Sequence, residues 1–176
     1  EFLELLAFEC QMQLERRDFK WDSPELQAGV QARWEHAVSL EVVSRYTLDL
    51  SSVGLLSRVG DGEFRFSHLT LQEYLAASCA VRLLGDDLPG LLNLFKPFHS
   101  HWKREVLQFT ACLLPGEELF VSFCELVLQE DDGTGAQCEL VQDFLKERRS
   151  EKAEQMVRGK LQEIRGTKYL IAGLCH

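Results

Sequence analysis

The stretch that most constrains this chain runs from Leu55 to Leu84. LLSRV and EFRF are two short strand-like runs joined by Gly60, Asp61 and Gly62. Glycine and aspartate readily adopt the positive backbone angles of a tight turn, so the three residues predict a small antiparallel hairpin. Directly after Phe66 the apolar period lengthens from two residues to that of a helix, in SHLTLQEYLAASCAVRLL. Thr70 and Glu73 have capping-box spacing, in which the hydroxyl and the carboxylate satisfy free amides of the first turn. The helix they open is expected to present Leu71, Tyr74, Leu75, Cys79 and Leu83 on one face. Ala76, Ala77 and Ala80 leave room for a close neighbour, and Gly85 supplies the stop.

The residues before the hairpin read as helices. Leu3, Leu6, Ala7, Cys10 and Leu14 recur at helical spacing, which predicts an amphipathic helix over residues 2 to 14 with one apolar stripe. RRDFKWD reads as a basic and aromatic link. Ser23 followed by Pro24 starts a second helix, since the serine oxygen accepts from a free amide and proline at the first position forfeits nothing. Leu26, Val30, Trp34 and Val38 continue its face. Two short helices follow, about Leu40 to Tyr46 and Leu48 to Ser52, ending at Gly54. Helices followed by one small hairpin is the winged-helix plan.

From Leu88 onward the reading is helical throughout. LPGLLNLF is short; Ser100 caps HWKREVLQFTACLL, which Pro115 and Gly116 close. ELFVSFCELVLQ is apolar around much of its circumference, as a helix packed between others would be. EDDGTG is a loop, and Leu140, Val141, Phe144 and Leu145 anchor another helix. KERRSEKAEQ reads as a solvated stretch, and Met156, Val157, Leu161 and Ile164 anchor one more helix before Gly166. The fold class expected is mainly α: a winged-helix domain over residues 1–85 with one small β-hairpin, then a helical domain over 86–176. The latter resembles the start of an α-helical repeat array, HEAT/ARM-like or superhelical, with no repeat firm enough to name.

Composition excludes several functions. Nineteen basic against twenty-eight acidic residues among 176 give a formal charge of −9, which opposes the counterion release that drives nucleic-acid binding. Charged or amide side chains interrupt every apolar run before the roughly 18 residues of a membrane span. The six cysteines, at 10, 79, 112, 124, 138 and 175, form no CxxC pair and are expected to be buried free thiols of a reducing compartment. Their apolar surroundings disfavour the thiolate a nucleophile needs. His99 and His101 lack a third ligand at matching spacing, so no metal is expected there. EDDGTGAQCE lacks the oxygen-ligand spacing of a calcium loop. No GxxxxGK[ST] loop is present, and GDGEF leads into a strand rather than a helix, so these residues hold no triphosphate and are not expected to be an enzyme. The start at Glu1 and the end inside YLIAGLCH read as a piece of a longer polypeptide.

One residue in the opening stretch is left with no structural duty but that of closing the helix N-terminus. Phe64 and Phe66 read as core, as do Tyr74 and Leu75, while Gln72 and Glu73 read as capping and packing. His68 is left over. The order F-x-F-x-H-x-x-x-Q-E-Y-x-A-A, made by Phe64, Phe66, His68, Gln72, Glu73, Tyr74, Ala76 and Ala77, resembles the signature that ends the winged-helix domain of NACHT proteins. These are the NOD-like-receptor branch of the STAND NTPases. LLAFE and VGLLSRV resemble the family's opening helix and pre-hairpin segment, and HWKREVLQFTACLL resembles the helix that follows. The resemblance covers about residues 1 to 130. It implies a cytoplasmic, innate-immune type of signalling protein in which the winged helix folds back on an upstream nucleotide-binding domain of the same chain. By that resemblance His68 is the nucleotide-binding residue, donating to the β-phosphate of ADP in a closed, inactive state. ADP or ATP with Mg would be held by the upstream domain, and opening would control self-assembly with protein partners. An imidazole N–H is a directional donor suited to a phosphate oxygen. On the residues alone a second class stays open: a helical-repeat scaffold for protein partners whose winged helix is purely structural.

Overall fold

The computed structural model describes residues 1–13, 18–33, 45, 49, 52–96, 98, 101–130 and 135–174, and only the backbone of 101, 102 and 165–174. Leu14, Trp34, Val38, His99, the Ser100 cap, Cys175 and most of the two short helices expected between Leu40 and Ser52 lie outside the described residues. So does most of the EDDGTG loop.

The first helix, α1 (Phe2–Met12), differs from the one-sided amphipathic helix that its sequence predicts. Phe2, Leu5, Leu6, Ala7, Phe8 and Cys10 are buried, and so are Glu9 and Gln11. Two other helices cover it from different sides: α2 (Pro24–Arg33) and α3 (Leu69–Leu84). Ser23 caps α2 as expected, its Oγ accepting from the Leu26 amide at 3.3 Å. On the α2 side, the buried Glu9 carboxylate pairs with Arg33, whose guanidinium also lies 5.4 Å from the centre of the Phe8 ring. Burial pushes the Glu9 carboxyl up and the Arg33 charge partly offsets it. A β-carbon at position 29 would fall 2.1 Å from Glu9 Oε2, so a glycine there gives the carboxylate its place.

The hairpin forms where the sequence puts it, from β2 (Leu56–Arg58) and β3 (Glu63–Phe66). Leu56 pairs with Phe66 and Arg58 with Phe64, and Gly62 takes φ +69° in the turn. RRDFKWD, read as a link, instead contributes a third strand, β1 (Asp18–Lys20), on the other edge of β3, giving the order β1-β3-β2. Three residues are too few to show a period, but their pairing is specific. Phe19 is buried and stacks on Phe64 with ring centres 5.9 Å apart. On the opposite face Asp18 accepts two hydrogen bonds from Arg65, both 2.6 Å, and Lys20 pairs with Glu63 at 3.0 Å.

Helix α3 corrects two expectations. Its first helical residue is Leu69 and His68 is the N-cap, so Thr70 lies within the first turn and Thr70 and Glu73 do not frame a capping box. The hairpin decides this start: Phe66 is still paired, and after only Ser67 and the His68 N-cap the chain has turned into the helix. The buried face is also rotated from the predicted one. Gln72, Glu73, Ala76, Ala77, Cys79 and Ala80 are buried, whereas Tyr74 is 44% and Leu83 38% exposed. The helix packs on both α1 and the later helix over His101–Leu113, and Ser78 and Arg82 both reach Glu4 of α1, at 2.9 and 3.5 Å. Tyr74, expected in the core, meets Phe109 edge-on at its rim, with ring centres 5.9 Å apart. Gly85 does end the helix, but with right-handed angles; a β-carbon there would meet the Val81 carbonyl oxygen at 2.5 Å.

Five further helical elements follow the winged helix without an intervening strand among the described residues. They begin with α3's neighbours α4 (Leu88–Asn93), which Asp87 caps by accepting from the Gly90 amide, and α5 (His101–Leu113). Then come α6 (Gly116–Gln129), α7 (Ala136–Glu147) and α8 (Glu151–Leu174). As its apolar circumference predicts, α6 is packed among α4, α5, α7 and α8. One apolar core runs from Phe2 through the alanines of α3 to Val157. The last helix passes through Gly166 and runs on to Leu174 instead of stopping there.

The stretch KERRSEKAEQ is not a merely solvated face. Ser150 is 4% exposed; its hydroxyl donates to Glu117 at 3.0 Å and accepts from the Ala153 amide at 3.3 Å, which caps α8. Arg148 donates to the carbonyls of Cys112 at 3.3 Å, Leu114 at 2.5 Å, and Gly116, and lies 4.7 Å over the Phe120 ring. The end of α5 leaves carbonyls without helical partners, and this guanidinium supplies both donors and positive charge to them. Arg148→Ala is expected to cost about 2–3 kcal/mol, the value of hydrogen bonds to a charged group. Arg148→Lys should recover less than half, because a point charge cannot fork across three acceptors. Chemical denaturation of the three proteins checks both statements.

Candidate nucleotide-sensing site

His68 occupies the single residue step between Ser67, which follows β3, and the start of α3. Its backbone is extended, with φ −130° and ψ 129°, and its carbonyl accepts from the Gln72 amide at 3.3 Å. The ring is exposed, makes no capping hydrogen bond, and enters no ion pair among the described residues. On the strand side the backbone is held by Ser67. Its amide donates to the Leu55 carbonyl at 3.0 Å and its hydroxyl to the Gly54 carbonyl at 2.5 Å. The Ser57 hydroxyl lies 3.5 Å from that of Ser67. A donor side chain is thus carried on a fixed backbone, bounded by a sheet on one side and a helix on the other, with the ring turned to solvent.

The motif residues around His68 divide cleanly. Phe64 and Phe66 are buried, and so are Ala76 and Ala77 in α3. Gln72 and Glu73 are buried in α3, so they belong to the interior rather than to the exposed site, and Tyr74 lies at the α3 and α5 rim. Sequence reasoning did not single out Ser67, and it marked Gly54 only as a helix end. The available signal was positional: a hydroxyl residue immediately before His68, and a glycine closing the segment ahead of β2, which takes φ +76°.

The rest of the described surface offers no second chemistry. No group of three metal-ligating side chains occurs among the described residues, and His99 is outside them. Cys10, Cys79, Cys124 and Cys138 are buried, as expected, and Cys112 is half-buried; none of the five is in a disulfide. Burial pushes Cys79 up to about 11 and Cys124 to about 12, far from nucleophilic range at neutral pH. On the winged-helix sheet, Lys20, Arg58 and Arg65 each face a carboxylate, from Glu63, Asp61 and Asp18. That pairing neutralises three cations with which a wing could meet a phosphate backbone. No helix among the described residues is long and apolar enough to cross a membrane.

The arrangement of helices, three-stranded sheet and wing-to-helix junction agrees with a family match over residues 4–80: the winged helix-turn-helix domain C-terminal to NACHT. Residues 4–80 are a NACHT-associated winged helix. The matched segment includes α1 from Glu4 on, the whole sheet, His68 and the buried alanines of α3, and the helices from α4 onward lie beyond it. Searches of curated proteins and of solved structures returned no match.

The capping geometry around His68 yields a stability test for this NACHT-associated winged helix. An extended N-cap whose side chain makes no bond to the first turn gains from serine or aspartate, which accept from the free amides. His68→Ser is expected to raise the stability of the chain by about 0.5–2 kcal/mol, the range for gaining such a cap. Thermal unfolding reads it directly; a loss of stability would mean that the imidazole already supports the fold.

Proposed function

We propose that this polypeptide is the regulatory segment of a NACHT-type nucleotide-dependent switch. In this reading the winged helix closes over ADP held by an upstream nucleotide-binding domain of the same chain, and His68 donates to the β-phosphate. The observation that carries it is the condition of His68: a ring carried on a fixed backbone, exposed, and making no side-chain cap bond or ion pair among the described residues. Such a donor fits an anionic oxygen arriving from outside the segment. ADP with Mg would be bound upstream, and the segment described here would add one contact to it without catalysing hydrolysis. A ligand gripped by two domains favours the closed state by its differential affinity for that state. Loss of the nucleotide contact would then free the winged helix and allow self-assembly, in a cytoplasmic signalling protein of the innate-immune type.

A second reading, a protein-binding scaffold, draws on the helices α4 to α8, each of which packs on neighbours one or two positions along the chain. The two readings differ at His68. In the intact protein, carrying the nucleotide-binding domain, His68→Ala is expected to speed ADP release about 10-fold, the effect of one hydrogen bond to a charged group. It should also raise self-association measured by light scattering without lowering the unfolding temperature. ADP retention equal to the parent protein would leave the scaffold as the better reading.

A further inference from the structure

The exposed hydroxyl of Ser67 is the feature of the wing that the foregoing does not use. We propose that Ser67 is the positioning residue for His68. The inference rests on the nucleotide-sensing reading above.

The geometry is local and specific. β3 ends its pairing at Phe66, opposite Leu56, and α3 begins at Leu69. Only Ser67 and His68 span the gap, and the direction of the His68 ring follows from how those two residues are held. The helix side is fixed by the bond from the Gln72 amide to the His68 carbonyl, 3.3 Å. The strand side is fixed by two bonds from one residue to two successive carbonyls. The Ser67 amide donates to Leu55 at 3.0 Å, and its hydroxyl donates to Gly54 at 2.5 Å.

The second bond is the informative one. The Gly54 carbonyl is presented by a left-handed residue, φ +76°, just ahead of β2. The bond therefore ties the end of β3 to the entry of β2 beyond the last paired residues of the sheet. It lies at the exposed edge, where a single neutral hydrogen bond adds little to global stability. Its effect on the residue next to it is larger in kind, because that residue carries a donor whose aim decides whether it meets a phosphate oxygen. Displacement of a donor by about an ångström is enough to forfeit a directional contact. Ser57, with its hydroxyl 3.5 Å from Ser67 Oγ, limits the alternative rotamers the Ser67 hydroxyl can take up.

The test uses the intact protein with its nucleotide-binding domain, preloaded with fluorescent ADP, and follows release after addition of excess unlabelled ADP. Ser67→Ala is expected to speed release about 2- to 10-fold, the weight of one neutral hydrogen bond. Ser67→Thr, which keeps the hydroxyl, should restore the parent rate. The Ser67→Ala/His68→Ala pair should release ADP no faster than His68→Ala alone, because a positioning residue has nothing to position once the ring is gone. All variants should unfold at temperatures close to the parent, which separates this role from general support of the fold. A parent-like rate for Ser67→Ala while His68→Ala releases quickly overturns the inference and leaves the nucleotide reading intact. Additive effects in the double variant also overturn it. If His68→Ala itself is without effect, the nucleotide reading fails and the inference fails with it.

Discussion

The structure depends on the close packing of α1 against α3. Ala76, Ala77, Cys79 and Ala80 are buried in α3 and carry little side-chain bulk, so neighbouring helices can approach it closely. That contact buries α1, which in turn places Glu9 against Arg33 and Gly29 of α2. The opposite flank of α3 is then free to receive α5, with Tyr74 and Phe109 at the rim. α3 is thus shared by the winged helix and the helices that follow, and the start of this shared helix is where His68 sits.

This placement has a mechanical meaning. A residue at the N-terminus of a helix that packs on three others, two positions from a three-stranded sheet, cannot move independently of either. If His68 meets a nucleotide bound to another domain, the force of that contact passes into α3 and, through it, into α4 and α5. Coupling of this sort requires packed elements with two discrete arrangements, and a helix buried on both flanks is a suitable carrier. At the far end, Arg148 and Ser150 lock the α7 to α8 turn onto the end of α5 and the start of α6, so the helical region responds as a packed unit.

How much of this was legible from the sequence depends on the range of the interaction involved. The hairpin, the Ser23 cap, α6 as a packed helix and the Gly85 stop all follow from residues within a few positions of one another, and all were readable. The buried face of α3 was not, because hydropathy ranks Leu71, Tyr74 and Leu83 above alanine, whereas close packing against neighbouring helices favours the smallest side chains. The apparent capping box at Thr70 and Glu73 yields to the hairpin, which fixes the helix start two residues earlier. β1 is too short for a period and shows itself only through charge complementarity with Arg65 and Glu63, 47 and 43 positions away along the chain. Arg148 lies in a charged run whose tertiary use has no local mark. His68 was legible as a residue without a structural task, and the exposed, uncapped N-cap gives that reading its geometry; Ser67, which braces it, was not singled out.

The central claim is that the exposed imidazole of His68 meets a nucleotide bound elsewhere in the same polypeptide. The most direct measurement is the imidazole carbon resonance of His68 in the intact protein with ¹³C-labelled histidine, assigned by its loss in a His68 variant and recorded with and without ADP and Mg. The account expects that resonance to shift when ADP binds and to return when the nucleotide is removed. A His68 signal that stays in place while ADP is shown to be bound would contradict it.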